Sequence, residues 1–188
     1  MIQAGDLNEL MGLATAFSWL GKMPQGDRCV FMNVSGGEAG VMADLAEEYG
    51  ISLADYHPQT KAYLETLVPD YGSVNNPFDM TAGIGYNTPV MVKAMEAISA
   101  DENVDVICIA YTITPEVWDD TITHMVEAAS LARQNPHMKP VLWLPLIEHT
   151  RDKESAENLR RAGVPHFAHR ALWMRCLEED SHLCDDEV

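Results

Sequence analysis

At 188 residues the chain has the length of one ordinary domain with some extra, not of two full domains. Hydrophobic residues make up 47% and charged residues 22%, which leaves enough apolar material to bury a core. Twelve Lys and Arg against 29 Asp and Glu give a formal charge of −17, and this argues against nucleic-acid backbones and anionic membranes as partners, since both need a positive field.

The acidity reads as a solvated surface. Part of it is a tail over residues 181–188, next to Glu178, Glu179 and Asp180. No apolar run approaches the roughly 18 residues of a membrane helix. The opening MIQAGDLNEL lacks the cationic and apolar regions of a secretory signal. Cys29, Cys108, Cys176 and Cys184 form no CxxC pair, and the first two sit in apolar runs where Cys acts as a small hydrophobe. This usage points to a reducing, cytoplasmic setting without metal or disulfide roles.

The predicted elements alternate along the chain. Asp6 and Glu9 resemble a capping box, followed by helical apolar spacing from Leu7 to Leu20. Residues 1–24 are read as this helix linking from an upstream domain, and 25–180 as the main domain. The run 28–33 is a buried strand, Ser35-Gly36-Gly37 a turn, and 38–49 a helix. Residues 51–53 form a short strand, 58–67 a helix opened by Pro58, and 71–81 a turn-rich stretch. A helix over 88–99 precedes the strongest strand signal, VDVICIAY at 104–111. Pro115 opens a long helix to about residue 134. A strand over 140–146, a helix over 152–162, a short strand over 164–167 and a helix over 171–179 complete the series. Near-continuous apolar strands alternating with helices predict an α/β fold, an open doubly wound parallel sheet of flavodoxin-like, three-layer αβα type.

In such sheets ligands bind beyond the carboxyl ends of the strands. Here the first strand-to-helix turn is Asn33-Val34-Ser35-Gly36-Gly37-Glu38. Adjacent glycines permit a sharp turn and expose N–H groups, and the following helix adds a positive dipole end suited to phosphate or carboxylate. The bland alternative is a tight turn with close helix–strand packing. The loop is neither a Walker loop nor a dinucleotide fingerprint, because GKS/T and GxGxxG are both missing.

Three blocks, GDRCVFMNVSGGEAGVMADLAEEYGI, LETLVPDYGSVNNPFDMT and DENVDVICIAYTITP, resemble the nucleoside-diphosphate-forming acyl-CoA synthetases. These are the ADP-forming acetate–CoA ligases of the succinyl-CoA-synthetase superfamily. The resemblance rests on Asn33, Ser35, Gly36, Gly37, Ala43 and Asp44, then Ser73, Asn76, Pro77 and Asp79, with Val34 as an extra residue between the Asn and the Ser. The stretch Ala162-Gly163-Val164-Pro165 is also similar.

The resemblance covers about residues 3–179 and identifies the chain with the second flavodoxin-like ligase-CoA domain. It implies thioester formation from a carboxylic acid, CoA and ATP through a phosphohistidine. CoA, ATP and Mg belong to the complete enzyme, and no cofactor is expected on this chain alone. The implied partners are the CoA-binding, phosphohistidine and ATP-grasp domains or subunits, and a homodimer through exposed former interfaces is a further expectation. The histidine loop is expected upstream of Met1, so the chain alone would not complete a turnover.

None of the seven histidines matches the phosphohistidine context, and surface or capping roles are expected for them. The resemblance gives phosphate or substrate binding to Asn33, Ser35, Gly36, Gly37, Thr112, Ile113, Thr114, Asn76 and Asp79. For Asp79 an Asx-type turn after Pro77 is the alternative. Trp118, Trp143 and Trp173 read as core or interface residues, and the 11 methionines as plastic core filling or interface. A competing function is a flavodoxin-like module that holds FMN or a phosphorylated ligand without catalysis.

Overall fold

A computed structural model describes residues 6–20, 24–112, 120–147 and 153–166. Its sheet has four strands, β1 (Cys29–Asn33), β2 (Phe78–Asp79), β3 (Val106–Ala110) and β4 (Val141–Leu144). They lie in the order β2-β1-β3-β4, and every pairing is parallel. That order is the one flavodoxin-type sheets share.

Why the strands are apolar throughout follows from the two layers that cover them. Val30, Met32, Ile107, Ile109 and Trp143 point to one face. There they meet α3 (Pro58–Glu65), α5 (Thr88–Ala100), α6 (Asp120–Ala132) and α7 (Lys153–Arg161) through residues such as Leu64, Met95, Met125 and Leu159. Alternate residues Cys29, Phe31, Cys108, Leu142 and Leu144 face the other way, onto α1 (Leu7–Leu20) and α2 (Gly36–Glu48). Trp143 is fully buried and its indole N–H donates to the Tyr111 carbonyl at 2.9 Å, so it is a core residue. Met32, Met42, Met80, Met91, Met95 and Met125 are all fully buried as filler between helices and sheet.

The helix α1 is packed into the fold. Leu13 and Leu20 bury with Phe31 and Leu142, because the second face needs more cover than α2 provides.

Two expected strands shrink to single bridges. Leu53 of the 51–53 segment pairs only with Cys29, and His166 of the 164–167 segment only with Trp143. The turn-rich stretch hides β2, and a one-turn helix, α4 (Ala82–Gly85), follows it. The expected start of α6 at Pro115, the helix over 171–179 and the acidic tail lie outside the described residues, as do Trp118 and Trp173. Among the described residues no helix is long and apolar enough to cross a membrane.

Candidate anion site at the carboxyl end of the first strand

Strand β1 ends at Asn33, directly opposite Asp79 at the end of β2. Met80 donates its N–H to the Asn33 carbonyl at 2.9 Å, which closes the ladder just above the sheet. Asn33 is fully buried. With its amide oriented to satisfy both neighbours, it donates to the Ser35 carbonyl at 3.2 Å and accepts from the Ala39 N–H at 3.1 Å. The side chain thus shapes the loop and the first turn of α2 from beneath.

Ser35 caps α2 in extended conformation (φ −146°), and its hydroxyl makes no capping bond. Ser35, Gly36 and Gly37 are all exposed. The first N–H groups of α2, from Gly36, Gly37 and Glu38, are ones a helix leaves without intrahelical partners. Neither Gly36 nor Gly37 has a positive φ, so the turn does not require glycine. A Cβ on Gly36 would stand 3.3 Å from Asp79 Oδ2, and one on Gly37 would stand 3.7 Å from Ser35 Oγ. Gly36 therefore permits close approach of the Asp79 carboxylate, while Gly37 leaves the helix end uncovered.

Two residues not singled out from sequence complete this corner. Asp79 Oδ1 accepts the Thr81 N–H at 2.8 Å in an Asx-type turn. Thr81 itself sits at φ 66° and ψ 152°, a region that a β-branched residue enters only under strain. It is nine-tenths buried, and its hydroxyl oxygen has no hydrogen-bond partner. Glu38, in the first turn of α2, likewise buries Oε2 without a partner.

Burial, and then the nearby Asp79 carboxylate, push Glu38 from its ordinary 4.5 up to about 7. An acid in the first helical turn is ordinarily favoured by the dipole, by roughly 0.3–1 kcal/mol. Burial of the carboxyl and the like charge of Asp79 both oppose its ionisation. Burial and repulsion win, and the carboxyl changes protonation state near neutrality.

The other residues expected at the site lie elsewhere or face other tasks. Thr112, past the end of β3, accepts N–H bonds from Leu146 and Ile147 at 3.2 Å each and ties β3 to the loop after β4. Ile113 and Thr114 lie outside the described residues. Asn76, also expected at the site, bonds to the backbone of β1 and its neighbour. Its amide donates to the Cys29 carbonyl at 2.7 Å and the Ala54 carbonyl at 3.0 Å, and accepts from the Phe31 N–H at 3.1 Å. It braces the lower half of β1, where the short Leu53 bridge leaves backbone groups to satisfy.

The described histidines also make local bonds. His57 Nδ1 accepts the Gln59 N–H at the start of α3, and His124 Nδ1 meets the Thr88 hydroxyl at 3.0 Å between α5 and α6. Among the described residues no group of three or more His, Cys, Asp or Glu is arranged to hold a metal.

No family model matches the chain. It is similar to the alpha subunits of two ADP-forming acetate–CoA ligases of Pyrococcus furiosus. Ligase I is 39% identical over 170 residues, and ligase II is 28% identical over 171. In both, the match takes in 89% of this chain and 35% of the relative. A trans-feruloyl-CoA synthase is 26% identical over 92% of this chain and 25% of its own length. The chain therefore spans about a third of the length of the first of these relatives.

Among solved structures, PH0766 from Pyrococcus horikoshii shares the fold with a TM-score of 0.78 and 23% identity, over 97% of this chain and 41% of that one. The dinucleotide-forming acetyl-coenzyme A synthetase 1 of Ca. Korarchaeum cryptofilum, solved with phosphate and ADP, has a TM-score of 0.67 and 20% identity. That match covers 100% of this chain and 41% of the synthetase.

Proposed function

Because the chain belongs with the ADP-forming acyl-CoA ligases, as a part about a third the length of its alpha-subunit relatives, we propose that it supplies one half of a ligase site. That half receives phosphate or the acyl carboxylate at the β1–α2 loop during phosphohistidine-mediated thioester formation from a carboxylic acid, CoA and ATP. The observation that carries the reading is the uncovered start of α2. The N–H groups of Gly36, Gly37 and Glu38 open beside exposed Ser35, at the carboxyl end of a central strand. Fixed dipoles of this kind stabilise charge on a transferring group without reorganising.

CoA, ATP and Mg would be held by the CoA-binding, phosphohistidine and ATP-grasp parts of the enzyme in the cytoplasm, and the chain by itself would not turn over. Helix α1 supports docking of such a partner. Beside its buried Leu13 and Leu20 it carries Leu7, Leu10, Met11 and Phe17, which are 41–78% exposed along one stripe.

Thermal unfolding of the full chain with inorganic phosphate or acetate tests the site. Millimolar phosphate should raise the melting temperature, and Gly37→Asp should abolish the rise by placing a carboxylate at the helix end. The variant should fold normally, since a Cβ there meets nothing closer than 3.7 Å. Equal stabilisation of wild type and variant, or none of either, would overturn the reading.

A further inference from the structure

The anion reading of the loop contains an electrostatic conflict. An incoming phosphate or carboxylate meets the α2 terminus with Asp79 already against Gly36 and Glu38 on the first turn. Among the described residues, no Lys, Arg or His forms a hydrogen bond or ion pair with either carboxyl group. Asp79 is the charged group that acts on Glu38 from β2, and β1 presents only the neutral amide of Asn33. Along α2 itself the next acid is Asp44, exposed nearly two turns on.

Two buried oxygens in this corner, Glu38 Oε2 and Thr81 Oγ1, stand without hydrogen-bond partners. Thr81 is tied to Asp79 through its own N–H. Two of the few buried polar groups left unpartnered among the described residues thus fall in one corner, and a ligand there would satisfy them.

We propose that Glu38 enters the ligand complex as the neutral acid, with its carboxyl O–H donated to the bound anion, so that binding at this loop takes up one proton. The proposal rests on the loop being an anion site and adds how that site accepts negative charge. Protonation removes the like charge nearest the helix end and supplies a donor in its place. By linkage the two events favour each other equally: the bound anion holds the proton on Glu38, and the proton strengthens anion binding. Because the free carboxyl titrates at about 7, the coupling falls where small changes in pH alter occupancy.

The test uses the full chain and sulfate, a dianion whose own charge is constant over the range about pH 6 to 8.5, unlike phosphate. Calorimetric titration in buffers of different ionisation enthalpy counts the protons taken up. Wild type should bind sulfate at least about tenfold more weakly at the alkaline end, with uptake approaching one proton there. Glu38→Gln keeps the shape and a permanent donor, and should bind with affinity nearly flat in pH and no proton uptake.

Sulfate binding by wild type that is flat in pH, without proton uptake, would overturn the proposal and leave the anion site standing. A pH dependence that persists in Glu38→Gln would overturn it by assigning the proton to another group. Failure of both proteins to bind sulfate at any pH would remove the anion site, and this proposal with it.

Discussion

The two ends of β1 are built on opposite principles. At the amino end every charge is answered. Arg28 donates through Nε and Nη2 to Asp105 at 2.8 and 3.1 Å, and its backbone N–H reaches the same carboxylate at 3.2 Å. Asp101 nearby accepts N–H groups from His57 and Asn103 at 2.8 and 2.9 Å. At the carboxyl end, Glu38 and Thr81 bury unpartnered oxygens, and Thr81 is strained. The same strand carries an end where charges are paired and an end where, among the described residues, the proposed anion site leaves carboxyl groups without a cation. Stability and function are thus separated by the length of five residues.

The sharpest way to break the contrast is Asn76→Ala. It would leave the Ala54 carbonyl and the Phe31 N–H without this partner and take one of two donors from the Cys29 carbonyl, at a cost of about 3 kcal/mol. A denaturant midpoint shift of that size, without loss of the folded baseline, is the expected result. Little change would mean that water replaces the amide.

The site was legible in the sequence only in part, and Asn76 shows why. A hydrophobic run such as VDVICIAY announces a buried strand locally, and residues 106–110 form one. The partners of Asn76 lie 22 to 47 positions away, so the residue could be matched to a motif without its task being visible. The Ser35-Gly36-Gly37 turn was placed correctly before a helix, yet its glycines serve approach and exposure rather than positive φ. Glu38 carries no sequence signal that separates it from any acid in a first helical turn. Its burial depends on β2, a strand of two residues embedded in a turn-rich stretch that carries no periodic signal.

The two ends should also titrate in opposite senses. Burial raises Asp105, but the Arg28 side chain and backbone outweigh it and hold the carboxyl below its ordinary 3.8. Its stabilisation is present above that value and lost as pH falls through the depressed one. Glu38 is raised, so its contribution is full below 4.5 and lost as pH rises through about 7. Asp105→Asn should cost about 1 kcal/mol at neutral pH, a modest figure because Arg28 is 42% exposed, and should converge with wild type in acid. Equal destabilisation at all pH values would deny the ion pair its role.

The smallest expected effect is at Thr81. Replacing it by Gly relieves the positive φ and removes the orphan hydroxyl, and should stabilise by up to about 1 kcal/mol while weakening anion binding. Thermal melts with and without phosphate read both quantities. A destabilised Thr81→Gly variant would mean that the residue belongs to the satisfied, structural class.

The bonds Asn76 makes to β1 have a consequence for how the chain tolerates change. A strand of two residues cannot hold its own register, and a slip by one would turn Phe78 toward the corner that Asp79 occupies. Asn76 works as an index pin, resetting the alignment immediately before the strand. Differences in length within the exposed turn around Asp70 and Tyr71 are therefore absorbed before they reach the carboxylate. The surface there is free to drift while the distance from Asp79 to the helix end stays fixed.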